Sequence, residues 1–177
     1  MKYDYKTLYE KNAAFYNARP KAKQALLVFN LLFTLVFFLA YGALAVDSLI
    51  SPDRFGVTDT VKILGIPALC VFLVTVLRLA VNRPRPYSEA GAKIEPLLKK
   101  HGAQDKSFPS RHISCAFVIA FVFLPYKVFG AAIWVGATLL VLACVLAYIR
   151  FALGLHYPSD LVGGAALAFF CSLLLLI

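Results

Sequence analysis

Charge is scarce in this chain. Only 15% of its 177 residues are charged, and acidic ones are the rarer kind, nine Asp and Glu against 18 Lys and Arg. So few carboxylates argue against an oxygen-rich calcium or magnesium site. The four cysteines, Cys70, Cys115, Cys144 and Cys171, fall singly in four different apolar stretches. That scatter excludes a zinc-ribbon spacing and a disulfide framework, and leaves them as small core residues. No internal repeat, low-complexity tract or linker divides the sequence, so one domain is expected. What fills the chain is apolar: 61% of the residues are hydrophobic, the composition of a membrane protein.

Residues 25–46 hold 22 positions without a charge, enough at about 1.5 Å per residue to cross a hydrocarbon core of about 30 Å. No small-residue cleavage site follows, so the run reads as a retained helix and not a removable signal peptide. Further spans are expected at 61–81, 110–126, 128–149 and 159–177. The fold class is therefore all-α, a polytopic membrane helical bundle with about five spans. Residues 1–24 form an interfacial N-terminal segment and residues 25–177 a single membrane-embedded domain. Residues 1–20 are too polar to cross, but Tyr3, Tyr5, Leu8, Tyr9, Phe15 and Tyr16 among lysines suit the headgroup region; a disordered tail is the alternative. Between NRPRPY and KSFPSRH, which open and close the loop 82–109, KIEPLLKK reads as a solvated connector. Its alternative is a short amphipathic turn beginning near Pro96, with Ile94, Leu97 and Leu98 toward lipid or bundle.

Alternation of five spans puts three polar junctions on one face. Arg78, Arg83 and Arg85 end the second span, Arg111 and His112 begin the third, and Arg150, His156 and Asp160 join the fourth to the fifth. Singly, each has an ordinary explanation, since arginines anchor at headgroups and an Asp suits a helix start. Together they set fixed positive charges, two imidazoles and one carboxylate beside an apolar bundle, a combination suited to nucleophilic attack on a phosphoryl group.

The order R-x6-R-P (Arg78, Arg85, Pro86), P-S-x-H (Pro109, Ser110, His112) and R-x5-H-x3-D (Arg150, His156, Asp160) resembles the three-part signature of the type 2 phosphatidic acid phosphatase superfamily. The chain departs from it at Arg78, where the family usually has lysine, at Arg111 for glycine, and at Ile149 for serine. The resemblance implies a hydrolase acting on a lipid phosphate, with neither metal nor other cofactor. In that scheme His156 attacks phosphorus and forms a phosphohistidine, Asp160 holds its other ring nitrogen, and His112 protonates the leaving group and then activates water. Arg78, Arg85 and Arg150, with Ser110 and the amides at the start of the third helix, bind the phosphate oxygens. Arg111 is either a further phosphate ligand or a partner for Glu89, Glu95 or Asp105.

The partners implied are a membrane lipid phosphate and the bilayer, with no nucleic acid. Phosphatidate, phosphatidylglycerophosphate and undecaprenyl pyrophosphate all fit the pattern. A vanadate-dependent haloperoxidase relative and a non-catalytic headgroup transporter or scramblase are the competing readings. The protein is expected in the cell membrane. All its basic residues except Arg54, Lys62 and Lys127 fall on the side of the N-terminus and the three motifs, which favours a cytoplasmic catalytic face.

Overall fold

The computed structural model describes residues 5–88, 90–98, 106–126 and 132–177. Glu89 and Asp105, two of the carboxylates open to Arg111, lie outside the described residues, as do Lys127 and the first residues of the fourth expected span. The elements are α1 (Tyr5–Asn17), α2 (Pro20–Ile50), α3 (Val57–Val81), α4 (Arg111–Phe123), α5 (Ala132–Ala152) and α6 (Pro158–Ser172), which continues as a 3-10 turn, Leu173–Leu176. Among the described residues there is no strand, only an isolated bridge between Pro84 and Lys106.

Among the described residues, four helices are long and apolar enough to cross a membrane: α2, α3, α5 and α6 with its 3-10 extension. Their outer sides expose Phe38, Leu39, Phe72, Trp134 and Phe170, as expected where the solvent is hydrocarbon and backbone polar groups are satisfied inside each helix. The third expected span is the 13-residue α4, only about 20 Å long at the helical rise. It packs against α3, α5 and α6, and Ile113, Ala116, Val118, Ala120 and Val122 are all buried. The bundle is thus four full-length spans around a short central helix.

Lipid tails are as apolar as leucine, so helices gain little by hiding apolar surface from them and associate through close packing. Small residues permit it. Ala116 and Ala120 on α4, and Gly164 and Ala168 on α6, repeat at four-residue spacing and are buried. A Cβ on Gly164 would lie 2.9 Å from the Ser110 carbonyl oxygen, and one on Gly163 would clash with the Phe108 ring. These two glycines admit the segment leading into α4. Inside α3, Pro67 has no N–H for the Ile63 carbonyl four residues earlier, and Tyr41 of α2 donates its hydroxyl to that carbonyl at 3.4 Å.

The N-terminal segment gains a definite structure, and two local expectations change. The N-terminal segment folds as α1 and docks against α2 and α5; α2 then starts with Pro20 in its first turn, where proline's missing N–H costs nothing. The stretch around Pro96 is neither helical nor a solvated connector: Ile94 and Leu97 are buried with Tyr9, Ala13, Leu26 and Leu153, because α1 supplies an apolar surface for them. Cys144 faces outward and Cys115 is half-buried, whereas Cys70 and Cys171 are core residues.

The glycine contacts make a test. Gly164→Val should destabilise the fold by about 1–3 kcal/mol, the usual cost of overpacking, seen as a lower Tm in detergent. Gly42→Val, at a position with nothing within 4 Å of the added Cβ, should leave Tm nearly unchanged.

Candidate active site

Helix α3 stops at Asn82, whose φ of 46° is left-handed, a conformation asparagine tolerates better than most residues. The chain then crosses the end of the bundle through Arg83, Pro84, Arg85 and Pro86. The Ser107 amide donates to the Arg83 carbonyl at 2.7 Å and Pro84 bridges Lys106, so the two ends of the long loop are pinned together. Arg78, in the last turn of α3, donates one terminal nitrogen to the Pro109 carbonyl at 3.1 Å and the other to the Lys106 carbonyl. The planar fork that replaces the family's lysine thus commits two of its five N–H donors to holding this loop.

From the other direction, α5 carries Arg150 in its last turn, and a tight turn through Gly154 (φ +75°) leads to His156. Tyr157 caps α6, Pro158 occupies its first turn, and Asp160 reaches back to accept the Tyr157 amide at 2.9 Å. Asp160 is fully buried and well supplied with donors. Its Oδ2 also accepts the Ser107 hydroxyl, and its Oδ1 takes an Arg83 terminal nitrogen at 2.9 Å. Arg83 in turn donates to Ser159 Oγ at 2.6 Å and lies 4.2 Å above the Tyr157 ring.

His156 is 1% exposed. Its Nδ1 is 3.1 Å from the Ser107 carbonyl oxygen and 3.7 Å from Asp160 Oδ2. A carbonyl can only accept, so that contact requires the proton on Nδ1 and leaves the Nε2 lone pair free in the neutral ring. Instead of a direct bond to Asp160, Nδ1–H donates to the Ser107 carbonyl, and Asp160 acts as a nearby charge at 3.7 Å and as the acceptor that holds the Ser107 hydroxyl. Burial, with the positive charges of Arg85 and Arg150 adding to it, pushes the His156 pKa down to about 4 against the opposing pull of Asp160.

Among the remaining candidates, Arg85 donates to the Leu155 carbonyl at 3.3 Å. Arg150 is 3% exposed, yet its Nε has no hydrogen-bond partner among the described residues, and the same holds for the fully buried Ser110 hydroxyl. Ser110 is the N-cap of α4, but its hydroxyl does not cap that helix; its amide instead donates to the Asp160 carbonyl at 3.0 Å. Arg111 is exposed and His112 half-buried. Both line an apolar cavity of about 520 Å³ between α2, α3 and α4, with Phe37, Tyr41, Pro67 and Val71 on its walls.

The structure thus joins Arg78, Ser110, His156 and Asp160 through one hydrogen-bonded loop, seats Arg85 and Arg150 close enough for their charges to act on His156, and turns Arg111 and His112 toward the apolar cavity. Ser107 belongs to the same network but was not expected in it, and Arg83, gathered at this end of the bundle without a role in the motifs, pairs with Asp160. Arg83 had a visible signal, an extra cation in NRPRPY, whereas Ser107 acts partly through a main-chain atom that any residue possesses.

Fold and site together define a multi-pass helical membrane protein whose three polar segments meet at one end of the bundle. The family model of the PAP2 superfamily matches residues 59–177, and the chain belongs to that superfamily. It is 44% identical over 64 residues to the putative undecaprenyl-diphosphatase YbjG of Escherichia coli K12, a match covering 36% of this chain and 30% of that relative. The crystal structure of a transmembrane PAP2 type phosphatidylglycerolphosphate phosphatase from Bacillus subtilis superposes with a TM-score of 0.65 at 22% identity, covering 95% of this chain and 84% of that one. That of Aquifex aeolicus LpxE gives a TM-score of 0.53 at 26% identity, covering 84% and 86%.

The depressed His156 pKa has a definite sign. Between about 6.5, the ordinary value, and about 4, the unfolded chain binds a proton that the folded protein refuses, so stability falls as pH falls through that window. Thermal unfolding from pH 7 to pH 4 should show this loss, and His156→Gln should flatten it. In NMR spectra of histidine-labelled protein, the resonance missing from His156→Gln should still be that of a neutral ring at pH 5.5.

Proposed function

We propose that the protein is a metal-independent lipid phosphatase in which His156 takes the phosphoryl group. The observation that carries this reading is the pair of buried donors without partners among the described residues, Arg150 Nε and the Ser110 hydroxyl, in a site that also holds a neutral, buried imidazole. Such orphans are costly in a protein interior, and phosphate oxygens are acceptors of the kind they lack. The apolar cavity leading to Arg111 and His112 supports a substrate whose phosphate is carried on a long hydrocarbon chain. The relatives act, by their names, on undecaprenyl diphosphate and phosphatidylglycerolphosphate, in keeping with a lipid phosphomonoester or diphosphate.

In this mechanism the Nε2 lone pair of His156 attacks phosphorus as the bond to the leaving oxygen breaks, and His112 gives that oxygen a proton. Arg85, Arg150 and Ser110, with the remaining donors of Arg78, hold the equatorial oxygens, and Arg111 meets the outer side of the headgroup. Positive charge gathers on His156 as it becomes phosphorylated, and Asp160 at 3.7 Å stabilises it. His112, now neutral, takes a proton from water, whose oxygen attacks the phosphohistidine to release inorganic phosphate and restore both histidines.

His156→Gln and His112→Ala should each lower phosphate release from a lipid phosphate in detergent by about 10²-fold or more, a loss far larger than any fall in the folded fraction read from the melting curve. Wild-type hydrolysis should persist in excess chelator and be inhibited by vanadate. Near-normal turnover in either variant would remove that histidine from its role, dependence on a divalent ion would overturn the metal-free step, and halide oxidation with vanadate would favour the haloperoxidase reading.

The catalytic face is cytoplasmic in this proposal. Its support is the basic excess on that side, which includes Lys6, Lys11, Arg19, Lys21 and Lys23 with no part in the site. A cysteine replacing the exposed Lys93, in a chain without its four native cysteines, should resist a membrane-impermeant thiol reagent in intact cells and react after permeabilisation. Rapid labelling of intact cells would place the site on the outer face.

A further inference from the structure

Helix α1 lies outside the residues matched by the PAP2 family model and has no part in the mechanism above. Yet Tyr5, Tyr9 and Asn12, spaced four and three residues apart, share one helical face, and that face lies along the turn that presents His156. The contacts follow the turn in order. Asn12 Nδ2 donates to the Ala152 carbonyl at 3.1 Å. The Tyr9 ring fills the space beside Gly154, where an added Cβ would come within 2.8 Å of it. The Tyr5 hydroxyl donates to the His156 carbonyl at 3.4 Å, and its ring sits 4.7 Å from that of Tyr157.

These contacts differ from ordinary helix packing. Tyr9 and Ala13 pack in the apolar cluster with Ile94, Leu153 and Leu155, but the Asn12 and Tyr5 bonds go to backbone carbonyls of the turn itself and so fix its conformation. Tyr9 is itself locked, donating its hydroxyl to the Glu95 carbonyl at 3.0 Å and accepting the Leu97 amide at 3.1 Å; the same amide donates to the Leu153 carbonyl at 3.2 Å. Burial, followed by the neighbouring Tyr9, Tyr157 and Asp160, raises the Tyr5 pKa, so its hydroxyl stays a donor. The imidazole is thus set from two sides, its ring by the Ser107 carbonyl and its backbone by α1.

We propose that α1 is a strap for the nucleophile: Tyr5, Tyr9 and Asn12 are positioning residues that hold 152–157 so that His156 Nε2 meets phosphorus in line. The proposal rests on His156 being the nucleophile. Small displacements of a reacting group are expensive in rate, about 10²-fold for an error near 1 Å, so even a soft support matters to turnover.

The test uses the full chain in detergent. Tyr5→Ala and Asn12→Ala should each lower kcat for a lipid phosphate about tenfold, while KM and the affinity for inorganic phosphate, set by the arginines, change less than twofold. Tyr5→Phe, which keeps the ring contacts but loses the bond to the His156 carbonyl, should lose part of kcat, less than Tyr5→Ala. Independently of activity, the amides of Leu153, Gly154 and Leu155 should exchange with deuterium about tenfold faster in Tyr5→Ala and Asn12→Ala, in keeping with local opening. Wild-type kcat and exchange in Asn12→Ala, or losses of kcat, phosphate affinity and Tm in parallel, would overturn the strap. Absence of turnover in the wild-type protein would instead reject the phosphatase reading, and the exchange rates would still judge the contacts. Should Tyr5→Ala fail to fold, Asn12→Ala decides, since it removes a single part-buried hydrogen bond.

Discussion

A carboxylate buried at the start of a membrane helix is tolerable only if donors replace the water it has lost. Asp160 finds them on three separate segments: the Ser107 hydroxyl from the loop, Arg83 from the end of α3, and the Tyr157 amide from its own helix. Because these donors come from far apart in sequence, meeting the carboxylate's needs assembles the site. Ser107 is placed so that its carbonyl faces His156, and Arg83, two residues from Arg85, holds the end of α3 close to Asp160. Removing the charge would leave Arg83 without its ion-pair partner as well as loosening the imidazole. Half-satisfied polar networks of this kind are worse than apolar packing, so the cluster behaves as one unit.

The same end of the protein shows what a sequence can and cannot disclose. The helices were legible because runs such as 25–46 admit no other structure in hydrocarbon, and the ordered motifs containing Arg78, His112, His156 and Asp160 marked the family. The length of α4 was visible in part, through the short uncharged run after His112. What stayed hidden depends on tertiary contact or on main-chain atoms. Nothing in the letters KSFPS distinguishes Ser107 as the holder of an imidazole through its carbonyl. Tyr5, Tyr9 and Asn12 look like interfacial residues until the turn at Gly154 is set beside them. Ile94 and Leu97 read as part of a connector because their apolar partners come from α1 and the turn after α5, distant in sequence from both.

Packing in lipid sets a conflict that the bundle resolves by region. Between α4 and α6 small residues and the glycines at 163 and 164 draw the backbones together and exclude space. Between α2, α3 and α4 the opposite holds: Pro67 interrupts the hydrogen bonding of α3, Tyr41 takes up the carbonyl so exposed, and an apolar cavity opens alongside. The rigid side carries Asp160 and the loop that faces His156. The open side carries His112 and Arg111, whose neighbours are mostly hydrocarbon.

The brevity of α4 has a kinetic meaning. A helix of about 20 Å falls roughly 10 Å short of the hydrocarbon thickness, and on the proposed function the residues at its first turn, Arg111 and His112, would be met from within the leaflet. A substrate that arrives by lateral diffusion is counted per unit of membrane area, and its dilution by other lipids slows the encounter as surely as dilution in volume slows a soluble reaction. On the proposed function, turnover in vesicles would follow the mole fraction of phosphorylated lipid and stay indifferent to how much water surrounds them.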